Sequence, residues 1–367
     1  TTSNSEIVAT GASFKLLTYN IDGLNNFALM ERTLAIIDII LIENADVINL
    51  QEVIPDTFEI IRNRFVKEGY TLSFGANNKH SNYFTVTFVR NKFSNSIYSY
   101  STDFTNDAKS QQGRSLLVTE IDIPDTTCSL MVINSHLESC GTAMKSVGST
   151  IRQSQLTQAF QTLIDFEGPA LLAGDLNIRD LEASKVLKSV GNSITDAAEY
   201  LDNHNSSKSN TKRFTWFIPN SIESSENNGI KARFDRIYYT STSLRPIQLD
   251  IIGEEEIIDR ALAEAIGEAT GDPVTYLTPS DHRGVVLTFL LPVAFMPASS
   301  SSTSTSSAVI PVFRTEEDLP VVSMGQKRGR SAIDSSDSLI NDDAPPLKAA
   351  DQRRQLFLDA LAKRSIQ

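Results

Sequence analysis

The sequence predicts an α/β domain over residues 14–293, followed by a tail that builds no core, and three observations carry that prediction. Short apolar runs rich in β-branched and aromatic residues recur along the stretch, interleaved with segments of helical periodicity, as a layered α/β fold requires. No run of ~18 or more apolar residues occurs, which argues against a membrane-spanning helix. Beyond Pro292 the composition changes, with residues 298–308 mostly Ser and Thr.

In chain order, the strand candidates are FKLLTYN (14–20), ADVINLQEV (45–53), YFTVTFVR (83–90), SLLVTEIDI (115–123), CSLMVINSHLE (128–138), PALLAGDLN (169–177), RFDRIYYT (233–240) and RGVVLTFLLPV (283–293). Residues 28–44 predict a helix, with Leu29, Ile36, Ile37, Ile40 and Leu41 forming one apolar face. Residues 150–166 predict another, through Ile151, Leu156, Phe160, Leu163 and Ile164. Residues 1–13 are polar, with neither the basic start nor the apolar centre of a secretory signal, and are expected to be disordered. The same is expected of a Ser/Thr-rich linker over 294–350, which cannot bury a core. Lys327, Arg328 and Arg330 within it read either as a nuclear import signal or as solvated charge. A short amphipathic helix over 351–367, with Leu356, Phe357, Ala360 and Leu361 on one face, serves a partner or nothing at all.

The net charge of −12 argues against a protein coated in basic surface. An enzyme that grips one end of a nucleic acid needs only a local positive groove, so charge leaves nucleic-acid and small-molecule substrates both open. Cys128 and Cys140 are the two cysteines; they make no disulfide framework and no CxxC zinc site, and a reducing compartment is expected.

Chemistry is suggested where the apolar strands begin or end. Asn20 and Asp22 follow FKLLTY, Glu52 follows ADVINLQ, and Asn134 and His136 close CSLMVI. Asp175 and Asn177 follow PALLAG, Asp235 lies in RFDRIYY, and Asp281 and His282 precede RGVVLTFLL. One Asn or Asp at a strand end caps a turn. This many, with two of the four His of the chain among them, predict a rim on which loops assemble an active site. The residue types suit phosphoryl transfer. Asp22, Glu52 and Asp281 are hard oxygen ligands of the kind Mg²⁺ takes, with Mn²⁺ able to substitute. His136 and His282 can hydrogen-bond phosphate oxygens. Asp175 can take a proton from a water that Asn177 orients, and Asp235 can fix an imidazole's tautomer.

The motifs TYNIDGLN, LQEV, NSHLES, GDLNIRD, RFDRIYY and PSDHRGV, in this order, resemble the endonuclease/exonuclease/phosphatase superfamily and, within it, its tyrosyl-DNA phosphodiesterase 2 branch. The resemblance spans residues 14–293 and implies a four-layer α/β sandwich, two packed sheets flanked by helices. It implies a Mg²⁺-dependent hydrolase that releases a trapped topoisomerase tyrosine from a DNA 5′ end. By the family's motifs, Asp22 and Glu52 sit at the metal with Asp281 close by, and Asp175 is the acid/base with Asn177 its partner. Asn20, Ile21, Asp22, Gly23 and Leu24 would hold the DNA end. So would His136, Leu137, Glu138, Ser139, Cys140 and Gly141, and Asn177, Ile178 and Arg179, with His282 at the phosphate. Tyr83, Trp216 and Phe234 fit the family's wall along the terminal nucleotides. Aromatic faces stack bases without reading sequence. From the sequence, Trp216 is equally a core residue, and Tyr83 equally an ordinary strand-start aromatic. The chain departs from the family pattern at Arg283, where an aromatic residue is usual. The implied partners are single-stranded or overhanging DNA 5′ ends carrying tyrosine or peptide adducts, met by a monomer in the nucleus and also the cytoplasm, without a membrane. An abasic-site endonuclease of the same fold is the nearest rival, and an inactive DNA-end scaffold a more distant one.

Overall fold

The computed structural model describes residues 13–73, 82–105, 112–124, 129–139, 145–204, 214–218, 230–240, 244–258, 260–271 and 277–291, with the side chains of 94–96, 145, 146, 218, 230 and 260 left aside. The chain divides into a unit Thr1–Pro297 and a unit Ala298–Gln367, and the described residues all belong to the first. The N-terminal segment, Cys128, Cys140, Gly141, the Ser/Thr-rich linker, the Lys327–Arg330 cluster and the C-terminal amphipathic stretch lie outside the described residues.

Every predicted strand is present. β1 (Ser13–Asn20), β2 (Val47–Val53), β3 (Tyr70–Ser73) and β4 (Phe84–Arg90) join β13 (Arg245–Ile252) and β14 (Gly284–Leu290) in one six-stranded sheet of order β13-β14-β1-β2-β4-β3. A second six-stranded sheet holds β5 (Ile97–Asp103), β6 (Ser115–Asp122), β7 (Ser129–Ser135), β8 (Ala170–Asp175), β9 (Ile194–Asp196) and β12 (Asp235–Thr240), in the order β5-β6-β7-β8-β12-β9. A small ribbon pairs β10 (Trp216–Ile218) with β11 (Ile230–Ala232). Among the described residues the helices are α1 (Leu29–Glu43), α2 (Pro55–Lys67), α3 (Lys145–Asp165), α4 (Asp180–Ser189), α5 (Ala197–His204) and α6 (Arg260–Thr270).

The strands are apolar at consecutive positions because both faces of each sheet are covered. Successive side chains point to opposite faces. Leu16, Val132, Leu171 and Leu287 therefore meet in the core between the sheets. Leu17 and Val286 turn outward beneath α1 and α2, with Ile36, Ile40 and Phe65. Ile133 and Leu172 turn outward beneath α3, with Leu156 and Phe160. The result is a four-layer sandwich, helices–sheet–sheet–helices. A satellite cluster packs Ala263 and Ile266 of α6 on Phe27 and Ala28, just ahead of α1.

Several predictions need correction at their ends: the strands expected over 169–177 and 283–293 stop at Asp175 and Leu290. The strand expected over 128–138 stops at Ser135, and 136–139 is irregular chain. There the backbone bonds cross-wise instead, with the Leu137 N–H donating to the Asp175 carbonyl at 3.0 Å. The helix expected from 150 begins at Lys145.

Candidate active site

The C-terminal ends of β1, β2, β7 and β8 and the start of β12 open on one rim, and backbone geometry there is specialised. Gly174 lets β8 approach β7, since a Cβ would sit 1.8 Å from the Ser135 carbonyl oxygen. Gly23 allows the β1–α1 loop to lie on β2, where a Cβ would meet the Glu52 carbonyl oxygen at 2.3 Å. The β2–β4 register shifts between Leu50 and Val53, and this irregularity carries Glu52. Asp22, Glu52 and Asn177 all have positive φ, at 47°, 55° and 48°. Such conformations cost a non-glycine residue energy and concentrate at functional sites.

Asp175 is the centre of the rim. Its Oδ2 accepts from Asn20 Nδ2 at 2.9 Å and faces His136 Nε2 at 3.3 Å and His282 Nε2 at 3.5 Å. Its Oδ1 accepts the Asn177 N–H at 3.0 Å, and Asn177 Nδ2 donates to the Leu137 carbonyl. Burial alone would push this carboxyl up, but His282, His136 and the Asn20 hydrogen bond outweigh it and hold Asp175 below the usual carboxylate range. It is a buried carboxylate held ionised by these partners.

The two imidazoles differ. His282 Nδ1 lies 2.7 Å from Asp235 Oδ2; burial opposes its protonation, but Asp235, Asp175 and Asp281 hold its pKa well above the ordinary value. His136 Nδ1 lies 2.9 Å from the Arg114 guanidinium. Arg can only donate, so Nδ1 accepts and the proton sits on Nε2, toward Asp175. Burial and then Arg114 drive the His136 pKa well down. Ser280 buttresses the rim, its hydroxyl donating to the Asn20 carbonyl at 2.8 Å and accepting the His282 N–H at 3.1 Å.

The carboxylates bear on a metal. Burial, then Asp281 and Glu52, push Asp22 up to about 8, against the opposing pull of Arg32. Burial and then Asp175 push Glu52 up to about 7. Crowded acidic oxygens that resist ionising together fit a hard divalent cation, which would neutralise them. Among the described residues, ligand atoms lying within 4.8 Å of one another occur in the sets Glu52–His136–Asp175 and Asp175–Asp235–His282. The expected trio Asp22, Glu52 and Asp281 is electrostatically linked but does not form such a set. Asp22 Oδ2 faces Arg32 at 3.4 Å, and Asp281 Oδ2 accepts from Trp216 Nε1 at 3.0 Å.

A match to the Endonuclease/Exonuclease/phosphatase family covers residues 17–282, most of the chain and the whole of this rim. The chain belongs to the endonuclease/exonuclease/phosphatase family. It is 30% identical to tyrosyl-DNA phosphodiesterase 2 of Xenopus laevis over 271 residues, which cover 70% of this chain and 66% of that protein. With the Gallus gallus tyrosyl-DNA phosphodiesterase 2 it is 29% identical over 254 residues, 67% of this chain and 63% of that one. The chain thus spans a little less than two thirds of the length of these relatives. In fold it is similar to D. rerio TDP2 complexed with single strand DNA product, at a TM-score of 0.58 and 24% identity, covering 76% of this chain and 99% of that one.

Within this family fold, the predicted residues from Asn20 to Gly23 and at Glu52, His136, Asp175, Asn177, Asp235, Asp281 and His282 come to the rim. Asn134 does not: it is fully buried, bridging the sheets through Gln51 and the Val86 carbonyl. Ile21, Leu137, Glu138 and Ile178 are buried, and their main chain bonds within the protein, the Ile21 N–H to the Gln51 carbonyl and the Glu138 N–H to Gln155 Oε1, whereas Leu24 is exposed. Trp216 is half-buried with its ring 5.1 Å from Phe234, and Arg179 lies 5.5 Å over Phe234. Tyr83 is half-buried beside His136, under Arg114 at 5.2 Å. Arg283, the departure from the family pattern, is buried behind the rim.

Sequence reasoning missed Arg114, Arg32 and Ser280. Arg114 opens a predicted strand at the same rim as the other polar residues, and that placement was its signal. Arg32 falls on the apolar stripe of α1, three residues after Leu29 and four before Ile36; a charged residue at a core position was the clue.

Proposed function

We propose that this chain is a Mg²⁺-dependent phosphodiesterase that hydrolyses the 5′-phosphotyrosyl bond between DNA and a trapped topoisomerase tyrosine, leaving a 5′-phosphate for break repair. The observation that carries the reading is the ring of partners around Asp175: an amide and two imidazoles on one carboxylate oxygen, and the Asn177 backbone on the other. The similarity to tyrosyl-DNA phosphodiesterase 2 supports the substrate.

In this reading Asp175 takes the proton of the attacking water, and Asn177, fixed beside it, orients that water. The His282 imidazolium, held by Asp235, hydrogen-bonds a non-bridging phosphate oxygen, and the neutral His136 donates from Nε2 to another. Asn20 keeps the Asp175 carboxylate in place. Bound at Asp22, Glu52 and Asp281, Mg²⁺, or Mn²⁺ in its stead, would supply positive charge against the charge that builds on the phosphate. Tyrosine leaves as a phenolate with a reference pKa of ~10, so no strong acid is needed at the leaving oxygen.

In this reading residues 20–24, 136–139 and 177–179 would hold the DNA 5′ end, and Tyr83, Trp216 and Phe234 would flank its terminal bases. Single-stranded or overhanging ends with tyrosine or peptide adducts are the proposed substrates. The proposed setting is the nucleus, with some chain in the cytoplasm, and the proposed state a monomer.

The test is incubation with a short DNA bearing a 5′-phosphotyrosine, with and without Mg²⁺, beside an abasic-site duplex. Magnesium-dependent release of tyrosine with the abasic duplex intact is expected. Cleavage of the abasic duplex alone would move the chain to the abasic-endonuclease branch.

A further inference from the structure

Arg32 uses its whole guanidinium inside the protein. Its Nε donates to the Phe27 carbonyl at 2.9 Å. Nη2 donates to the Asp22 carbonyl at 3.1 Å and the Asn25 carbonyl at 2.5 Å. Nη1 donates to the Pro279 carbonyl at 3.2 Å and to Asp22 Oδ2 at 3.4 Å. A guanidinium has five N–H groups in a fixed planar fork, and the described residues set these acceptors around this one. The residue is 1% exposed. It is therefore a core residue of α1 that bonds, among the described residues, mainly backbone carbonyls of the two loops that carry Asp22 and Asp281.

Those loops have little regular structure of their own. Residues 21–28 connect β1 to α1 through turns, and 277–283 enter β14 without a helix or strand. The satellite cluster with α6 supports Phe27 and Ala28 but not Asp22. Arg32 joins the two loops directly, through Asp22 on one side and Pro279, two residues before Asp281, on the other.

We propose that Arg32 is a positioning residue for the cation site, holding Asp22 and the 277–282 segment in register so that Asp22 and Asp281 serve one divalent ion. The proposal rests on the metal-dependent reading above. Lysine would keep the charge but offers three donors from one point in place of a fork, so it cannot span Asn25, Phe27 and Pro279 together. Outer partners of metal ligands typically tune metal affinity 10- to 100-fold.

The test compares the wild-type chain with Arg32→Lys and Arg32→Gln. Mn²⁺ binding is measured without DNA by electron paramagnetic resonance, and hydrogen exchange is followed peptide by peptide in metal-free protein. A melting curve checks the fold, and kcat on 5′-phosphotyrosyl DNA is read at saturating metal. For Arg32→Lys, Mn²⁺ affinity is expected to fall ~10-fold or more. Exchange should quicken in 21–28 and 277–282 but not in β7, and kcat at saturating metal should stay within a few-fold. Unchanged Mn²⁺ affinity in a folded Arg32→Lys chain would overturn the proposal, as would faster exchange spread evenly over the sandwich. Arg32→Gln also strips the charge beside Asp22; if it unfolds, Arg32→Lys alone decides. A wild-type chain that binds Mn²⁺ but releases no tyrosine would overturn the substrate reading and leave the Arg32 comparison intact.

Discussion

His282 Nδ1 and Asp235 Oδ2 lie 2.7 Å apart in a buried ion pair, and that pair decides which of the two imidazoles at the rim carries charge. His136, backed by an arginine in place of a carboxylate, is neutral. The asymmetry gives Asp175 one cationic and one neutral neighbour and makes the following outcomes specific.

Asp235→Asn removes the anion that keeps His282 protonated. The folded pKa of His282 should fall toward its ordinary value, so the basic limb of the rate–pH profile moves to lower pH. Turnover at pH 8 should drop ~10²- to 10⁴-fold, with less loss at pH 6. A profile that keeps its basic limb would show that the charge on His282 has another source.

Asp175→Asn keeps the shape of the side chain but cannot take a proton. Turnover should fall by ~10³-fold or more while the chain still binds a DNA 5′ end, as read by fluorescence anisotropy. Near wild-type turnover would remove Asp175 from the acid/base role.

Glu52 and Asp22 have raised pKa values, about 7 and about 8, so lowering the pH through that range protonates them. A cation must displace those protons, and its affinity should weaken from pH 8 to pH 6. Calorimetry with Mg²⁺ at the two pH values checks this, with proton release on binding as a second signature. Glu52→Gln should raise the Mg²⁺ concentration needed for activity, and an unchanged titration would take Glu52 out of the site.

Trp216 has two contacts that can be separated. Its ring lies against Phe234, and its Nε1–H bonds Asp281 at 3.0 Å. Trp216→Phe should bind DNA ends nearly as tightly as wild type while needing more Mg²⁺, since Asp281 loses its partner. Trp216→Ala should also lose base stacking, about 1–3 kcal/mol of DNA affinity. Equal behaviour of the two variants would argue against stacking.

Much of this was legible in the sequence because the sandwich buries both faces of its central strands. Runs such as FKLLTY and PALLAG are continuous, and the polar residues that end them stand out. Elements that escaped include the edge strands β5 and β13, half-exposed and without a continuous apolar run, and α6, which is amphipathic but lies outside the main sandwich core. α2 buries only Thr57, Ile61 and Phe65, and β9, β10 and β11 are three-residue strands that exist through their neighbours. In the site, side chains that bond across the rim were predicted by type and place. Arg114 and Arg32 were not, because their roles depend on which distant atoms surround them, and spacing along the chain does not carry that. Asn134 shows the converse: a polar residue at a strand end, placed by sequence with the chemistry, is spent on joining the sheets.

The left-handed backbone at Asp22, Glu52 and Asn177 bears on attempts to harden this protein against heat. Glycine would relax each of these positions, and a screen for melting temperature alone would favour it there. Each such gain would delete a carboxylate or amide from the rim, so thermostability and turnover should trade against each other at these positions. Stabilising changes that spare activity should be sought in the helices outside the sheets.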